Sequence, residues 1–201
     1  MSKSSKLYTK SFKSSIELSC WLQKHHGTED ELWEKIFKNK TGKPSVTWND
    51  VVLETLCWGW IDGMKKSLGD EAYLQRITPR KPQSTWSKRN TEHVDRLIAQ
   101  GRMQASGLVQ VEAAKADGRW EKAYAPPSEM QIPKDFISAL RNEPETSRYY
   151  ESLSKSSRYA IAYGLVTAKK AETRQRRFDK FLNMLRRQEA PGFGFKKKPK
   201  A

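Results

Sequence analysis

The chain has 201 residues, 38 of them Lys or Arg against 23 Asp or Glu, for a formal charge of +15. That length suits one domain, or one domain with an appended subdomain, and seven Trp, seven Tyr and seven Phe exclude disorder over most of the sequence. No run reaches the roughly 20 apolar residues of a membrane span. The basic start MSKSSKLYTKSFKSS lacks the apolar stretch of a signal peptide, and Cys20 and Cys57 form neither a CxxC pair nor a disulfide framework, so a reducing, cytoplasmic location is expected.

Residues 1–13 are rich in Ser and Lys and read as a flexible N-terminus. Ser14–His26 gathers Ile16, Leu18, Cys20, Trp21 and Leu22 into a helical cluster that Gly27 ends. Both cysteines sit in such apolar helical runs and read as small core residues. Thr28–Glu31 has the form of a capping box. It precedes Leu32, Trp33, Ile36 and Phe37, spaced as on a helix, although so short and aromatic a run also fits a strand. Asn39–Pro44 is a turn, and Thr47 caps a helix that runs through Val51, Leu53 and Leu56 to a stop at Gly59. The run from Trp58 to Gly63 alternates bulky residues with Gly, and Ala72–Thr78 sets Tyr73, Gln75 and Ile77 on one face. Joined by the turn Leu68–Glu71, they predict an antiparallel pair.

Pro79 and Pro82 then force an extended segment up to Trp86. Asn90 is expected to cap a helix that ends at Gly101, and Ser106–Ala116 is a second helix ending at Gly118. After a loop through Ile132, Pro133 and Pro144 each open a helix. Ser156–Thr167 and Lys169–Gln188 complete a three- or four-helix array, and the tail APGFGFKKKPKA reads as disordered. The expected fold is α+β, a small antiparallel sheet with packed helices (14–132) followed by a helical, basic C-terminal subdomain (133–188) and a basic tail (189–201).

The charge is uneven. Residues 134–201 hold 17 basic and 7 acidic side chains, against 21 and 16 in residues 1–133, so the excess concentrates in the last third. In the final helix Ala171, Phe178, Phe181, Leu182 and Leu185 form the expected buried stripe. Arg174, Arg176, Arg177, Lys180, Arg186 and Arg187 cover the rest, a surface suited to nucleic acid, a phosphate or an acidic protein as readily as to solvent. Arg174 and Arg177, three apart, can share one anion or one carboxylate from the sheet domain. Lys196, Lys197, Lys198 and Lys200 add tail charge, beside Phe193 and Phe195.

In the middle of the chain, glycines flanking Trp60 and Asp62 permit close approach of a ligand or of another backbone. Asp62 can accept from Arg80 or Lys88, either to orient a site or to brace a bulged strand. Arg80, Lys81, Trp86, Lys88 and Arg89 interleave cations with an aromatic, which suits phosphates and a stacked base, or else a loop strapped over the core. Enzyme signatures are missing. The histidines His25, His26 and His93 have no metal-ligand spacing, Ser84, Ser87 and His93 have no nucleophile–base spacing, and no phosphate loop or cofactor motif occurs.

Several stretches together resemble the YdeI/OmpD-associated family of bacteriocin-protection proteins. They are Leu56-Cys-Trp-Gly-Trp-Ile-Asp-Gly63, Thr78-Pro-Arg80, Ser84–Asn90, Gly101-Arg-Met103, Gly118-Arg-Trp120 and Ala168–Arg177, in order between Ser14 and Arg187. The resemblance implies a strand near Leu32–Phe37 and a link to envelope stress and to resistance against cationic peptides and bacteriocins. It implies no established chemistry.

The sequence therefore predicts a non-enzymatic binding protein without cofactor or metal. Its partner is anionic: an acidic protein, a phosphate-bearing ligand or a nucleic acid. The expected cluster is Trp60, Asp62, Arg80 and Trp86 in an aromatic groove, flanked by Arg174 and Arg177, with Asp62 orienting the arginines and the indoles supplying contact area. A nucleic-acid binder working through the Arg-rich helix is the first alternative, and an enzyme with an unrecognised pocket is the second.

Overall fold

The computed structural model describes residues 8–192. In chain order the described elements are β1 (Thr9–Lys10), α1 (Ser15–His25), β2 (Leu32–Phe37), α2 (Trp48–Cys57), β3 (Trp60–Leu68), β4 (Ala72–Pro79), α3 (Lys88–Ala99) and α4 (Ala105–Ala116). Then follow α5 (Lys134–Arg141), α6 (Pro144–Ser152), α7 (Lys155–Val166) and α8 (Ala171–Arg186). The fold is α+β, and the chain divides into two compact units between Ala123 and Tyr124.

In the first unit the sheet order is β1-β2-β4-β3. Leu32–Phe37 is a strand, not a helix, because its backbone pairs antiparallel with β4 from Leu32 opposite Ile77 to Phe37 opposite Ala72. That ladder, joining segments far apart in sequence, overrides the helix-like Thr28–Glu31 signal. β3 and β4 form the expected hairpin, with a register shift between Asp62 and Lys65. The N-terminal stretch expected to be flexible contributes β1, which pairs parallel with β2 and makes the sheet mixed; residues 1–7 lie outside the described ones.

Helix α2 holds two cores apart. Val51 joins Leu18, Trp21 and Leu22 of α1 with Leu32, Ile36, Trp60 and Ile77 of the sheet. On the other side Val52, Leu56 and Cys57 pack against Trp86, Val94, Leu97, Val111 and Ala114. The helix starts at the expected residue: Thr47 Oγ1 accepts from the Asp50 N–H at 3.2 Å and Asp50 Oδ2 accepts from the Thr47 N–H at 2.8 Å. Its C-terminus meets α4 so closely that a Cβ on Gly107 would lie 2.2 Å from the Cys57 carbonyl oxygen. Ser87, rather than Asn90, caps α3 by accepting from the Asn90 N–H at 3.1 Å. Cys57 is buried as expected, but Cys20 is exposed. The inward residues of α1 are Leu18, Trp21 and Leu22, and this three–four spacing turns position 20 outward.

The second unit packs α5–α8 around Phe136, Leu140, Leu153, Ile161, Leu165, Leu182 and Leu185, with Phe178 and Phe181 half-buried beside them. Ala171, expected in the buried stripe, is exposed at the start of α8. Pro144 opens α6 at its first residue. Phe193, Phe195 and the tail lysines lie outside the described residues.

One side chain in the first core opposes the fold. Glu34 shares the inward face of β2 with Leu32 and Ile36, is 0% exposed, and neither carboxyl oxygen meets a donor. Burial, then the charge of Asp50, pushes its pKa from 4.5 to about 8. The native state therefore holds a proton that the unfolded chain releases above pH 4.5. Stability is fully present below that value and is lost progressively as pH rises toward 8. The Glu34→Gln variant removes this term. Urea unfolding at pH 5.5 and 7.5 will show the wild type losing about 2–3 kcal/mol relative to the variant over that interval, at about 1.4 kcal/mol per pH unit. A wild-type-to-variant difference that does not change with pH would mean that Glu34 is ionised in the native state.

Candidate functional site

Trp60 opens β3 with its side chain inward. It is 1% exposed, lies edge-on to Trp21 with ring centroids 5.7 Å apart, and donates its indole N–H to the His26 carbonyl at 3.0 Å. The glycine before it, at φ 75°, turns the chain from α2 into the strand, and its carbonyl accepts the Arg80 N–H at 2.9 Å. This bond ties the start of the extended segment to the start of β3.

Arg80 and Trp86 then close that segment on itself. The Arg80 guanidinium lies 3.7 Å from the Trp86 ring centroid and donates to the Thr85 carbonyl at 3.1 Å. Arg80 is 4% exposed and Trp86 2%, with Trp86 also 5.0 Å from the Trp120 ring. Arg119 donates to the Ser84 carbonyl at 2.8 Å and holds the loop from outside. Trp60, Arg80 and Trp86 are thus interior side chains, joining the strap to the cores rather than lining an open groove.

Asp62 lies two residues beyond Trp60 and is half-buried. Its partner is not Arg80 or Lys88 but the Trp48 indole, whose Nε1 donates to Oδ2 at 3.1 Å. Burial raises the Asp62 pKa, while the Trp48 hydrogen bond and then the charge of Arg80 work against that rise. Trp48 is exposed at the first position of α2, with the Arg89 guanidinium 5.3 Å from its ring. Arg89 Nε also reaches His93 Nε2 at 3.4 Å, and Arg96 Nη2 lies 2.6 Å from His93 Nδ1. Burial first, then Arg96 and Arg89, hold the His93 pKa below its usual value, so the ring is neutral between the two cations. Sequence reasoning passed over Trp48 because it reads as part of a helix start. Only the return of β3 beside α2 brings it to Asp62.

Arg174 and Arg177 lie in the second unit and are engaged there. Arg174 Nη2 donates to both Asp135 oxygens at 2.8 and 2.9 Å, so its carboxylate comes from α5 and not from the sheet domain. Arg177 donates to the Gly164 carbonyl at 2.8 Å. The two do not share a carboxylate.

A separate open cleft of about 490 Å³ in the first unit runs along α1, lined by Ile16, Ser19, Cys20 and Gln23 with the ion-paired Glu54 and Arg102 opposite. None of the expected site residues lines it. Among the described residues no group of three His, Cys, Asp or Glu side chains is placed to hold a metal ion.

These positions separate two arginines that the sequence treats alike. Arg80→Ala leaves a buried cavity and removes a desolvated cation–π contact, and should cost about 2–4 kcal/mol. Arg174→Ala removes a half-exposed ion pair and should cost no more than about 1 kcal/mol. Denaturant midpoints of the two variants test the ordering, and equal losses would contradict it.

Comparison with known proteins divides the chain similarly. Residues 10–110 match the family model described as a domain of unknown function, DUF8412. Residues 129–188 match the model described as bacteriocin-protection, YdeI or OmpD-associated. The resemblance read across Ser14–Arg187 is thus carried by a YdeI-type match in the second unit, while the motifs from Leu56 to Met103 fall within the other model. No curated protein and no solved structure matches the chain. The chain belongs to the DUF8412 family and carries, C-terminal to that domain, a domain of the YdeI/OmpD-associated bacteriocin-protection family.

Proposed function

We propose that this protein acts without catalysis, by binding an anionic partner through the exposed face of α8 in its YdeI/OmpD-associated domain. One observation carries this reading. Of the six cations on α8 and its C-cap residue Arg187, three are consumed within the unit: Arg174 by Asp135, Arg177 by the Gly164 carbonyl, and Arg186 by Glu143. The Arg186 pair holds the Glu143 carboxyl below the ordinary range. The other three, Arg176, Lys180 and Arg187, are exposed, and none of their side chains makes a salt bridge or hydrogen bond among the described residues. Their spacing of four and seven places all three on one stripe of the helix. A row of unpaired cations on a rigid helix attracts an anionic surface and gives it a register.

The sign of the charge also bears on how such a protein would take part in protection against cationic peptides. A chain with a formal charge of +15 repels them, so direct sequestration is disfavoured. Binding to an anionic cellular component, and protection through its regulation, fits the charge.

Fluorescence anisotropy of the full chain with a labelled 20-base-pair duplex and with a poly-glutamate peptide, each across a salt series, tests the surface. Replacing Arg176, Lys180 and Arg187 together with Ser should weaken binding to whichever probe is held by tenfold or more. If the duplex is held, the log–log salt slope should shrink by about 2.7, at about 0.9 per phosphate contact. Failure to bind either probe, or equal binding by the triple variant, would overturn the proposal.

A further inference from the structure

The sheet of the first unit has a second face, turned away from the core of that unit. Side chains alternate along a strand, so Leu32, Glu34 and Ile36 of β2 point to the helices while Trp33, Lys35 and Phe37 point the other way. The register sets Trp33 opposite Arg76, Phe37 opposite Ala72, and both Lys35 and Lys66 opposite Leu74. Trp33, Ala72 and Leu74 are buried, at 4%, 2% and 7% exposure, yet none belongs to a core cluster of either unit.

Long cationic side chains lie over this apolar floor. Lys66 Nζ is 4.4 Å from the Trp33 ring centroid, and Lys35 Nζ and Lys43 Nζ are 4.7 and 5.2 Å from that of Phe37. Two cations of the face have carboxylate partners: Arg76 pairs with Glu31 at 2.6 Å and Lys43 with Glu71 at 2.8 Å. The side chains of Lys35 and Lys66 make no salt bridge or hydrogen bond among the described residues, and each ammonium rests on a ring. The charge of Lys35 is also felt at Glu71, whose carboxyl is held below its usual range first by Lys43 and then by Lys35 and Lys40.

We propose that this sheet face binds single-stranded nucleic acid. Bases stack on Trp33 and Phe37 while Lys66 and Lys35 swing from the rings to the phosphates. A simple anion would use the cations and leave the rings idle. A ligand that repeats a negative charge and a flat π-face along one chain uses both, and single strands bind aromatic-bearing sheets in this way. The two rings lie four residues apart on one strand, about 13 Å, along a line that an extended strand can follow. A duplex keeps its bases stacked internally and cannot offer them to the rings. The exchange is favourable because an exposed lysine is held on a ring more weakly than a stacked base is.

The test uses the full chain and fluorescein-labelled dT20, U20, a 20-base-pair duplex and inorganic polyphosphate. With Arg176, Lys180 and Arg187 replaced by Ser, either single strand should bind at least tenfold more tightly than the duplex, and the preference between dT20 and U20 reports whether the 2′-hydroxyl contributes. Lys35→Gln combined with Lys66→Gln, which breaks no side-chain salt bridge or hydrogen bond, should weaken single-strand binding tenfold or more and reduce the log–log salt slope by about 1.4. Phe37→Leu keeps an apolar side chain but removes the stacking face. It should weaken dT20 or U20 about tenfold and leave polyphosphate binding unchanged. In the variant with Arg176, Lys180 and Arg187 replaced by Ser, duplex binding as tight as single-strand binding would overturn the proposal, as would a Phe37→Leu variant with unaltered single-strand affinity. The triple Ser variant of α8 separates the two surfaces. Single-strand affinity that survives it but falls in the Lys35/Lys66 variant supports the sheet face, and the reverse pattern overturns it.

Discussion

A chain with 38 basic and 23 acidic side chains cannot give every cation a carboxylate. Apart from cations left to solvent, such as Arg176, Lys180 and Arg187, the fold gives its cations three kinds of partner, and the difference between them organises the molecule. Some cations find carboxylates, as Arg174 does at Asp135 and Arg102 at the buried Glu54. Others end on backbone carbonyls, as Arg177 does at Gly164 and Arg158 at Leu153. A third group lies over aromatic rings, for which a chain with seven Trp is well supplied. Rings differ from carboxylates as partners, because a cation–π contact is worth about 0.5–1 kcal/mol when exposed and about 2 or more when desolvated. Arg80, buried on Trp86, is fixed in place. Lys66, with its ammonium in solvent above Trp33, can exchange the ring for a stronger partner.

The same shortage bears on the buried acids. Glu34 has no cation beside it; Asp50 is the charged neighbour that acts on it, and both raise the same difficulty. It remains protonated where an ordinary glutamate is ionised, so the first core contains a neutral acid between Leu32 and Ile36. His93 is the converse, a base kept neutral because burial and two arginines disfavour a further positive charge. The first unit thus keeps Glu34 and His93 uncharged in its interior, where Glu54 has the cation of Arg102 and Arg80 has the Trp86 ring. In the second unit the paired arginines brace α8 against α5, α6 and α7, and that bracing leaves Arg176, Lys180 and Arg187 on a fixed stripe.

What the sequence made legible was mainly local. The Thr47 cap, the Gly59 stop, the hairpin around Leu68–Glu71 and the helix start at Pro144 follow from a few adjacent residues, and the structure has each of them. Leu32–Phe37 was ambiguous because its helical spacing is local while the pairing that makes it a strand comes from β4. The position of Cys20 was misread because the cluster Ile16–Leu22 is apolar on more than one side. Only packing shows that Leu18, Trp21 and Leu22 turn inward and Cys20 does not. Of the expected site, the contact between Arg80 and Trp86 is real, but its burial was not readable from a loop bracketed by prolines. The Lys-covered sheet face could not be read at all, since it exists only if Trp33, Lys35 and Phe37 alternate on a strand.

The central claim is that this protein holds two kinds of ring-bound cation, one structural and one exchangeable. NMR of the side-chain methylenes next to the charged groups tests it directly, because carbons and protons lying over an aromatic ring are shifted upfield by its ring current. On titration of the full chain with U20, the ε-methylene signals of Lys66 and Lys35 should move toward the positions of free lysine as the ammonium groups leave Trp33 and Phe37. The δ-methylene of Arg80 should keep its upfield shift throughout. Lysine signals that stay upfield at saturation, or an Arg80 signal that moves with them, would contradict the account.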